Sequence, residues 1–159
     1  MINIHQKTLQ DLEFATVLNQ VSEYCITALG NEAALSISPY KDKETLLFSL
    51  QLTNEYISSF YNDNRIPNHG FDSITKELKL LKIENTFLEP HSLKKLVSIS
   101  LTSNDLIKFF KKFETYYPTL QQFSNKIEVT TDIIDKIDSV VNRFNEVKDD
   151  ASPTLYELR

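Results

Sequence analysis

Apolar residues recur every three or four positions along almost the whole chain of 159 residues. This spacing is typical of amphipathic α-helices, because residues three and four apart lie on the same helix face. One such pattern runs from Phe14 to Leu29, and a longer one runs from His91 to about Thr115. Glycine occurs only at positions 30 and 70. We therefore predict an all-α fold, a helical bundle with at least six helices and no substantial sheet.

Capping residues and prolines predict where several helices begin and end. Gly30 fits either a helix C-cap or a bend into a short segment, and Asp42 fits the N-cap of a helix over about residues 43–61. The predicted buried stripe of that helix comprises Leu46, Leu50, Thr53, Ile57 and Phe60. A further short helix is expected over about residues 72–82.

The second half of the chain has similar signals. The polar stretch 98–104 predicts a kink in the long helix, because serine, threonine and asparagine favour helices weakly. Tyr117-Pro118 predicts a new short helix, and Thr131 or Asp132 is expected to cap a helix that carries Val141 and Phe144. Ser152-Pro153 is an N-cap followed by the favoured N1 proline. The helix that follows has no C-cap, so we expect a truncated chain.

Composition excludes several classes of protein. Hydrophobic residues make up 41% of the chain and the net charge is −5, as in one globular domain without a basic excess. No run of about 18 apolar residues predicts a membrane span, and the N-terminus is unlike a signal peptide, so we expect a cytoplasmic protein. The single cysteine excludes an internal disulfide. Two distant glycines form no phosphate-binding loop, so no cofactor and no ATP site is expected in this chain.

Several residues that can carry chemistry have two interpretations. The histidines at positions 5, 69 and 91 are far apart, which favours polar surface roles over a joint metal site. Cys25 lies on an apolar stripe, which favours inert packing over nucleophilic chemistry. The acidic segment Glu146, Asp149 and Asp150 does not match a calcium loop and indicates a turn. We therefore expect no catalytic and no metal-binding residue.

The lysines and the aromatic residues also allow two interpretations. A solvated helix face is the ordinary role of clustered lysines, and contact with phosphate groups is the functional alternative. The candidates for phosphate contact are Lys76, Lys79, Lys82, Lys94 and Lys95. The aromatic run Phe109, Phe110, Phe113, Tyr116 and Tyr117 indicates core packing, with a base-stacking platform as the alternative.

Two segments resemble a known family. The stretch from Asn145 to Leu155, Asn-Glu-Val-Lys-Asp-Asp-Ala-Ser-Pro-Thr-Leu, is similar to the segment before the long lever helix of type-two MutS proteins, which carry a C-terminal Smr nuclease domain. Asn145 replaces the usual glycine, and asparagine tolerates a left-handed conformation. The shorter matches are Lys7–Phe14, Ala28-Leu29-Gly30, Ile37-Ser38-Pro39 and Phe71–Ile74 with Leu78.

The resemblance implies a part of a larger protein. Residues 1–151 would be the helical core domain, and residues 152–159 would be the truncated start of the lever helix. The parent would be a dimeric, DNA-binding ATPase and endonuclease that uses ATP and Mg, linked to recombination suppression or ribosome rescue. The partners implied are the ATPase, lever and Smr domains of the parent, with nucleic acid or ribosome reached through it and no membrane. No catalytic residue transfers, because no matching motif is present.

Two other functions stay open at this point. An independent helical protein-interaction module would have the same periodicity but should end on a finished helix. A small enzyme would need a pocket with convergent polar groups, which the sequence does not indicate.

Overall fold

The computed structural model describes residues 4–158, and this part of the chain forms nine α-helices. The helices are α1 Gln6–Asp11, α2 Phe14–Glu23, α3 Ala28–Leu35, α4 Lys43–Ser58, α5 Thr75–Leu80, α6 Pro90–Lys112, α7 Pro118–Ser124, α8 Asp132–Val140 and α9 Pro153–Leu158. Extended pairing among residues 4–158 is confined to one antiparallel bridge, between Val141 and Val147. The predicted all-α fold is confirmed.

The first long helix ends earlier than its apolar pattern predicts. α2 stops at Glu23, and Thr27 caps a separate helix, α3, by accepting the N–H of Gly30 on its hydroxyl at 3.0 Å. Gly30 is therefore in the first turn of α3, and both predicted roles for it are wrong. A Cβ there would meet the same Thr27 oxygen at 3.0 Å, so glycine leaves room for the cap.

Helix α4 begins where the sequence predicts, but another of its faces is buried. Asp42 accepts the N–H of Thr45 at 2.8 Å, which confirms the N-cap. The buried or half-buried face comprises Phe48, Leu52, Glu55 and Ser59. Most of the predicted stripe is wrong: Leu46 is half-buried, but Thr53 is exposed, and Leu50, Ile57 and Phe60 are 55%, 48% and 59% exposed. Apolar residues occur on two faces of this helix, so periodicity does not identify the face that packs.

Helix α6 is continuous over 23 residues, through the polar stretch where a kink is predicted. Asn104, in that stretch, is buried and joins the helix to the chain before α8. Its side-chain amide donates to the carbonyl of Thr130 at 2.8 Å and accepts the N–H of Thr130 at 2.9 Å. Buried polar groups need such partners, and here the pairing is tertiary.

The core lies where α6 meets α8 and the turn after it. Leu96 and Val97 pack with Ile137 and Val141 there. Ile74, Leu88, Leu93 and Ile134 pack partly buried against them. Val141 leaves the helix, because α8 ends at Val140 and Val141 pairs with Val147; its predicted helical position, and that of Phe144, are wrong.

The surface is large for the mass of the chain. Its accessible area is 12305 Å². A compact monomer of 18.4 kDa exposes about 8,200 Å². Many large apolar side chains are correspondingly exposed, Leu12, Tyr24, Tyr61 and Phe87 by two thirds or more. None of the helices described over residues 4–158 has both the length and the apolar character needed to cross a membrane.

Candidate functional site

A cleft of about 320 Å³ lies beside the N-terminal half of α6. It is lined by Asp72, His91, Lys94, Lys95, Ser98 and Asn145. Asp72 and Asn145 come from two of the segments that carry the family resemblance. The fold therefore brings these segments together against α6, with two of the candidate lysines between them.

Both lysines of the cleft are held by carboxylates. Lys94 Nζ lies 2.6 Å from Asp138 Oδ1, which joins α6 to α8. Lys95 Nζ lies 3.5 Å from Glu77 Oε1, which joins α6 to α5. An amine already paired with a carboxylate attracts a further anion less strongly. These lysines therefore hold helices together, and the cleft offers little net positive charge to a phosphate.

Glu77 is a buried acid beside this cleft. Its Oε1 also lies 3.4 Å from the hydroxyl of Ser92, whereas its Oε2 is buried without a hydrogen-bond partner among residues 4–158. The backbone N–H of Glu77 lowers the pKa of its carboxyl; burial acts in the opposite direction, and Lys95 and Ser92 lower it further. The carboxylate is therefore charged near neutral pH and serves as an anchor for Lys95.

The turn that carries Asn145 is organised by another asparagine. The side-chain oxygen of Asn142 accepts the N–H groups of Phe144 at 2.8 Å and Glu146 at 3.0 Å. Asn145 has φ of 64°, so the chain needs a residue there that tolerates the left-handed region. This supports the turn interpretation of the acidic segment; among residues 4–158 no group of three or more metal-ligating side chains is suited to a metal ion.

The remaining candidate lysines are separate from the cleft. Lys76 and Lys79 are exposed on α5, and neither side chain has a hydrogen-bond or ion-pair partner within residues 4–158. Lys82 is also exposed, in the turn after α5, where its N–H donates to the carbonyl of Lys79 at 3.2 Å. The predicted helix over 72–82 is shortened to Thr75–Leu80, so Lys82 does not share a helix face with the other two.

The histidines and the cysteine take structural or surface positions. His69 lies 3.3 Å from the hydroxyl of Tyr56 and 3.0 Å from the carbonyl of Pro67. His91 lies in the cleft, and His5 is exposed before α1. Cys25 is half-buried, with its sulfur 3.7 Å from the carbonyl of Val21. Within residues 4–158, none of these side chains belongs to a group of three or more His, Cys, Asp or Glu residues that could hold a metal ion.

The aromatic run packs inward for the most part. Phe110 and Tyr117 are buried, Phe109 and Phe113 are half-buried, and only Tyr116 is exposed. Their rings form edge and tilted contacts, such as 4.8 Å between the centroids of Phe109 and Phe113. The core-packing interpretation is confirmed, because a stacking platform would need several exposed rings.

Two residues join α7 to the rest of the molecule, and one of them, Glu55, was missed by sequence reasoning. Glu55 of α4 is buried and accepts the N–H groups of Thr119 at 2.9 and 3.0 Å and of Leu120 at 2.9 Å. A carboxylate at a helix N-terminus satisfies donors that lack partners inside the helix. Tyr117 is fully buried, and its hydroxyl contacts the carbonyl of Asn64 and the side chain of Asn62. No signal near Glu55 in sequence could have revealed a partner 64 residues away.

The geometry thus defines a class of protein region: an all-helical unit whose buried polar groups join helices and whose cleft holds paired charges. The comparison with known proteins gives a more specific result. The chain is homologous, over nearly its whole length, to the N-terminal portion of proteins named endonuclease MutS2, and no family model matches it.

Proteins of this name from several bacteria match the chain with nearly the same identity and coverage. The chain is 26% identical over 158 residues to the endonuclease MutS2 of Alkaliphilus oremlandii, a match that covers 98% of this chain and 20% of the relative. The corresponding protein of Caldanaerobacter subterraneus is 26% identical over 160 residues, with 100% and 20% covered. That of Staphylococcus carnosus is 26% identical over 162 residues, with 98% and 20% covered. The chain spans about a fifth of these relatives, and no solved structure matches it.

Proposed function

We propose that this chain is the non-catalytic helical core domain of a MutS-like protein. The observation that carries the proposal is a match over 98% of the chain to one fifth of an endonuclease MutS2. The turn around Asn145 supports it, because a left-handed residue lies where the resembling segment has glycine. In this proposal residues 152–159 begin the lever helix, and residues 1–151 connect it to the ATPase.

The chain's own chemistry supports a scaffold and not an enzyme. The two lysines of the cleft are paired with carboxylates, and the buried carboxylate of Glu55 accepts backbone N–H groups. Catalysis would then belong to other parts of the parent, a cytoplasmic homodimer that uses ATP and Mg and acts on DNA in recombination or on stalled ribosomes. Nucleic acid would be reached through that parent.

A chimera tests this proposal. The chain replaces the matching segment of the Alkaliphilus oremlandii endonuclease MutS2, and ATP turnover of the chimera is compared with that of the same protein lacking the segment. We expect the chimera to fold and turn over ATP, the deletion protein to be inactive, and the chain alone to be inactive. ATP turnover by the chain alone, abolished by a point change within it, would contradict the proposal.

For phosphate contact, the structure favours the lysines of the α5 region over those of α6. Lys76, Lys79 and Lys82 are exposed, and their amines are unpaired within residues 4–158, whereas Lys94 and Lys95 are held by carboxylates. In the chimera, changing all three to glutamine should reduce the salt dependence of DNA binding, by about 0.9 in the logarithmic slope for each lysine that neutralises a phosphate. Lys108→Gln, another exposed lysine, is the matched control.

A further inference from the structure

The first three helices pack on each other and not on the helices that follow them. Within residues 4–158, α2 packs on α1 and on α3, whereas α4 packs on α7, and α6 packs on α7 and α8. No helix of the first set packs extensively on a helix of the second set in this part of the chain. We call residues 4–37, with α1–α3, the arm, and residues 40–140, with α4–α8, the body.

The arm has an interior and polar contacts of its own. Ala34 of α3 is buried, and Phe14 and Leu18 of α2 are half-buried. The side-chain amide of Asn31 donates to the carbonyl of Ser22 at 3.1 Å, which joins α3 to α2. The side-chain hydrogen bonds shown for the arm within residues 4–158 stay inside it. The arm therefore holds its three helices together without the core that lies between α6 and α8.

A short segment outside any helix connects the arm to the body. Ile37 ends the arm, because its N–H donates to the carbonyl of Ala34 at 3.3 Å. Tyr40 begins the body, because its hydroxyl donates to the hydroxyl of Ser49 on α4. Between these two anchors lies Ser38-Pro39, and Ser38 is exposed to solvent. A few loop residues of this kind can absorb the backbone rotation of a hinge.

The turn between α2 and α3 approaches the body at the loop before α5. The Cδ1 atom of Ile26 lies 3.9 Å from the position that a Cβ on Gly70 would occupy. Ile26 nevertheless stays 80% exposed, and the nearby Tyr24 stays 87% exposed. Because the hydrophobic effect scales with the apolar area removed from water, this contact holds the arm against the body only weakly.

We propose that the arm is a hinged unit, which rotates about Ser38-Pro39 as a rigid group and docks reversibly through Ile26 on Gly70. The docked position is the one that the structure shows. Because undocking exposes little apolar area, the docked and undocked positions differ little in free energy, and both are populated. The separate interiors of arm and body also account for part of the large surface, 12305 Å² against about 8,200 Å² for a compact monomer.

Pulsed electron paramagnetic resonance of the whole chain tests the hinge. In a Cys25→Ser background, spin labels are attached to pairs of cysteines introduced at exposed helix positions. The arm–body pair is Gln20→Cys with Lys111→Cys. The control pairs are Gln10→Cys with Glu32→Cys inside the arm, and Lys111→Cys with Lys136→Cys inside the body. The distance distribution of the arm–body pair should be roughly twice as wide as that of either control.

Two results of this measurement would overturn the hinge. An arm–body distribution as narrow as the controls would show that the arm is fixed to the body. A distribution inside the arm as wide as the arm–body one would show that α1–α3 unfold locally and do not rotate together.

A change at the contact tests the docking. In the arm–body pair, Ile26→Ala should reduce the fraction of molecules at the docked distance by roughly twofold, because it removes the apolar atoms that face Gly70. Tyr24→Ala is the matched control, since Tyr24 is a more exposed apolar residue beside the same turn, and it should leave that fraction unchanged. Both variants should keep the circular dichroism spectrum of the unmodified chain. Equal effects of the two changes, or no effect of Ile26→Ala, would overturn docking through Ile26.

Discussion

Asn145 shows how one residue can carry both a local structure and a resemblance. Its φ of 64° lies in the left-handed region, where only glycine and asparagine are common. The sequence predicts this tolerance, and the structure confirms the conformation.

Substitutions at Asn145 should therefore change the free energy of unfolding according to how well the new residue tolerates the left-handed conformation. Asn145→Gly should be neutral or slightly stabilising, whereas Asn145→Ala should cost about 1 kcal/mol, because a Cβ without a polar side chain is disfavoured in this region. Urea denaturation measures both. Asn125→Ala is the control: Asn125 is exposed with φ of −61°, so its change should stay within about 0.5 kcal/mol. An equal effect at both positions would contradict the explanation.

Glu55 is the residue whose loss should matter most for α7. Glu55→Ala should destabilise the chain by about 3 kcal/mol, because buried N–H groups of Thr119 and Leu120 lose a charged acceptor. Glu55→Gln should also destabilise, since its amide NH₂ would face N–H donors. Urea denaturation measures the change, and the exposed Glu114→Ala provides the control. A loss below about 0.5 kcal/mol would show that α7 needs no cap from α4.

Glu77 should make stability sensitive to acid. Its folded pKa is lowered from the ordinary value of 4.5, so the native chain binds this proton less readily than the unfolded chain. The contribution to stability is complete above pH 4.5 and is lost as the pH falls through the lower folded pKa. The difference in unfolding free energy between the chain and Glu77→Gln should therefore shrink on acidification. Lys95→Met should move this loss to higher pH; a difference constant with pH would contradict the assignment.

At the scale of elements, helix boundaries depend on caps and helix faces depend on packing. Asp42, Ser152 and the proline of α7 begin helices where the sequence predicts. The buried face of α4 and the break between α2 and α3 differ from the prediction, because each depends on contacts that lie outside the helix concerned.

Helix α9 should be frayed in dilute solution. It has six residues, begins at the Ser152 cap, and exposes Tyr156 and Leu158 by more than two thirds. Helices shorter than roughly 12 residues seldom persist without packing. Amide exchange at residues 154–158 should therefore be fast in the monomeric chain, and exchange in the core of α6 around Leu96 should be slow. Strong protection of α9 in a demonstrated monomer would favour the independent interaction module.

At the scale of the whole molecule, the large surface has a thermodynamic consequence. The chain exposes 12305 Å², against about 8,200 Å² for a compact monomer of its mass, so it buries less area on folding. The urea m-value should accordingly be lower than that of a compact protein of similar length, because m scales with the area exposed on unfolding. A normal m-value for 159 residues would contradict this.

The sequence by itself determined the helical class and most helix starts, and it placed at position 145 a residue that tolerates a left-handed conformation. These depend on neighbours within about four positions, where propensity, capping and backbone conformation act. Only the tertiary structure decided which face of α4 is buried, that Glu55 caps α7, and that Lys94 and Lys95 are paired with Asp138 and Glu77. Those partners lie 18 to 64 residues away along the chain, so their pairing exists only once the helices have packed.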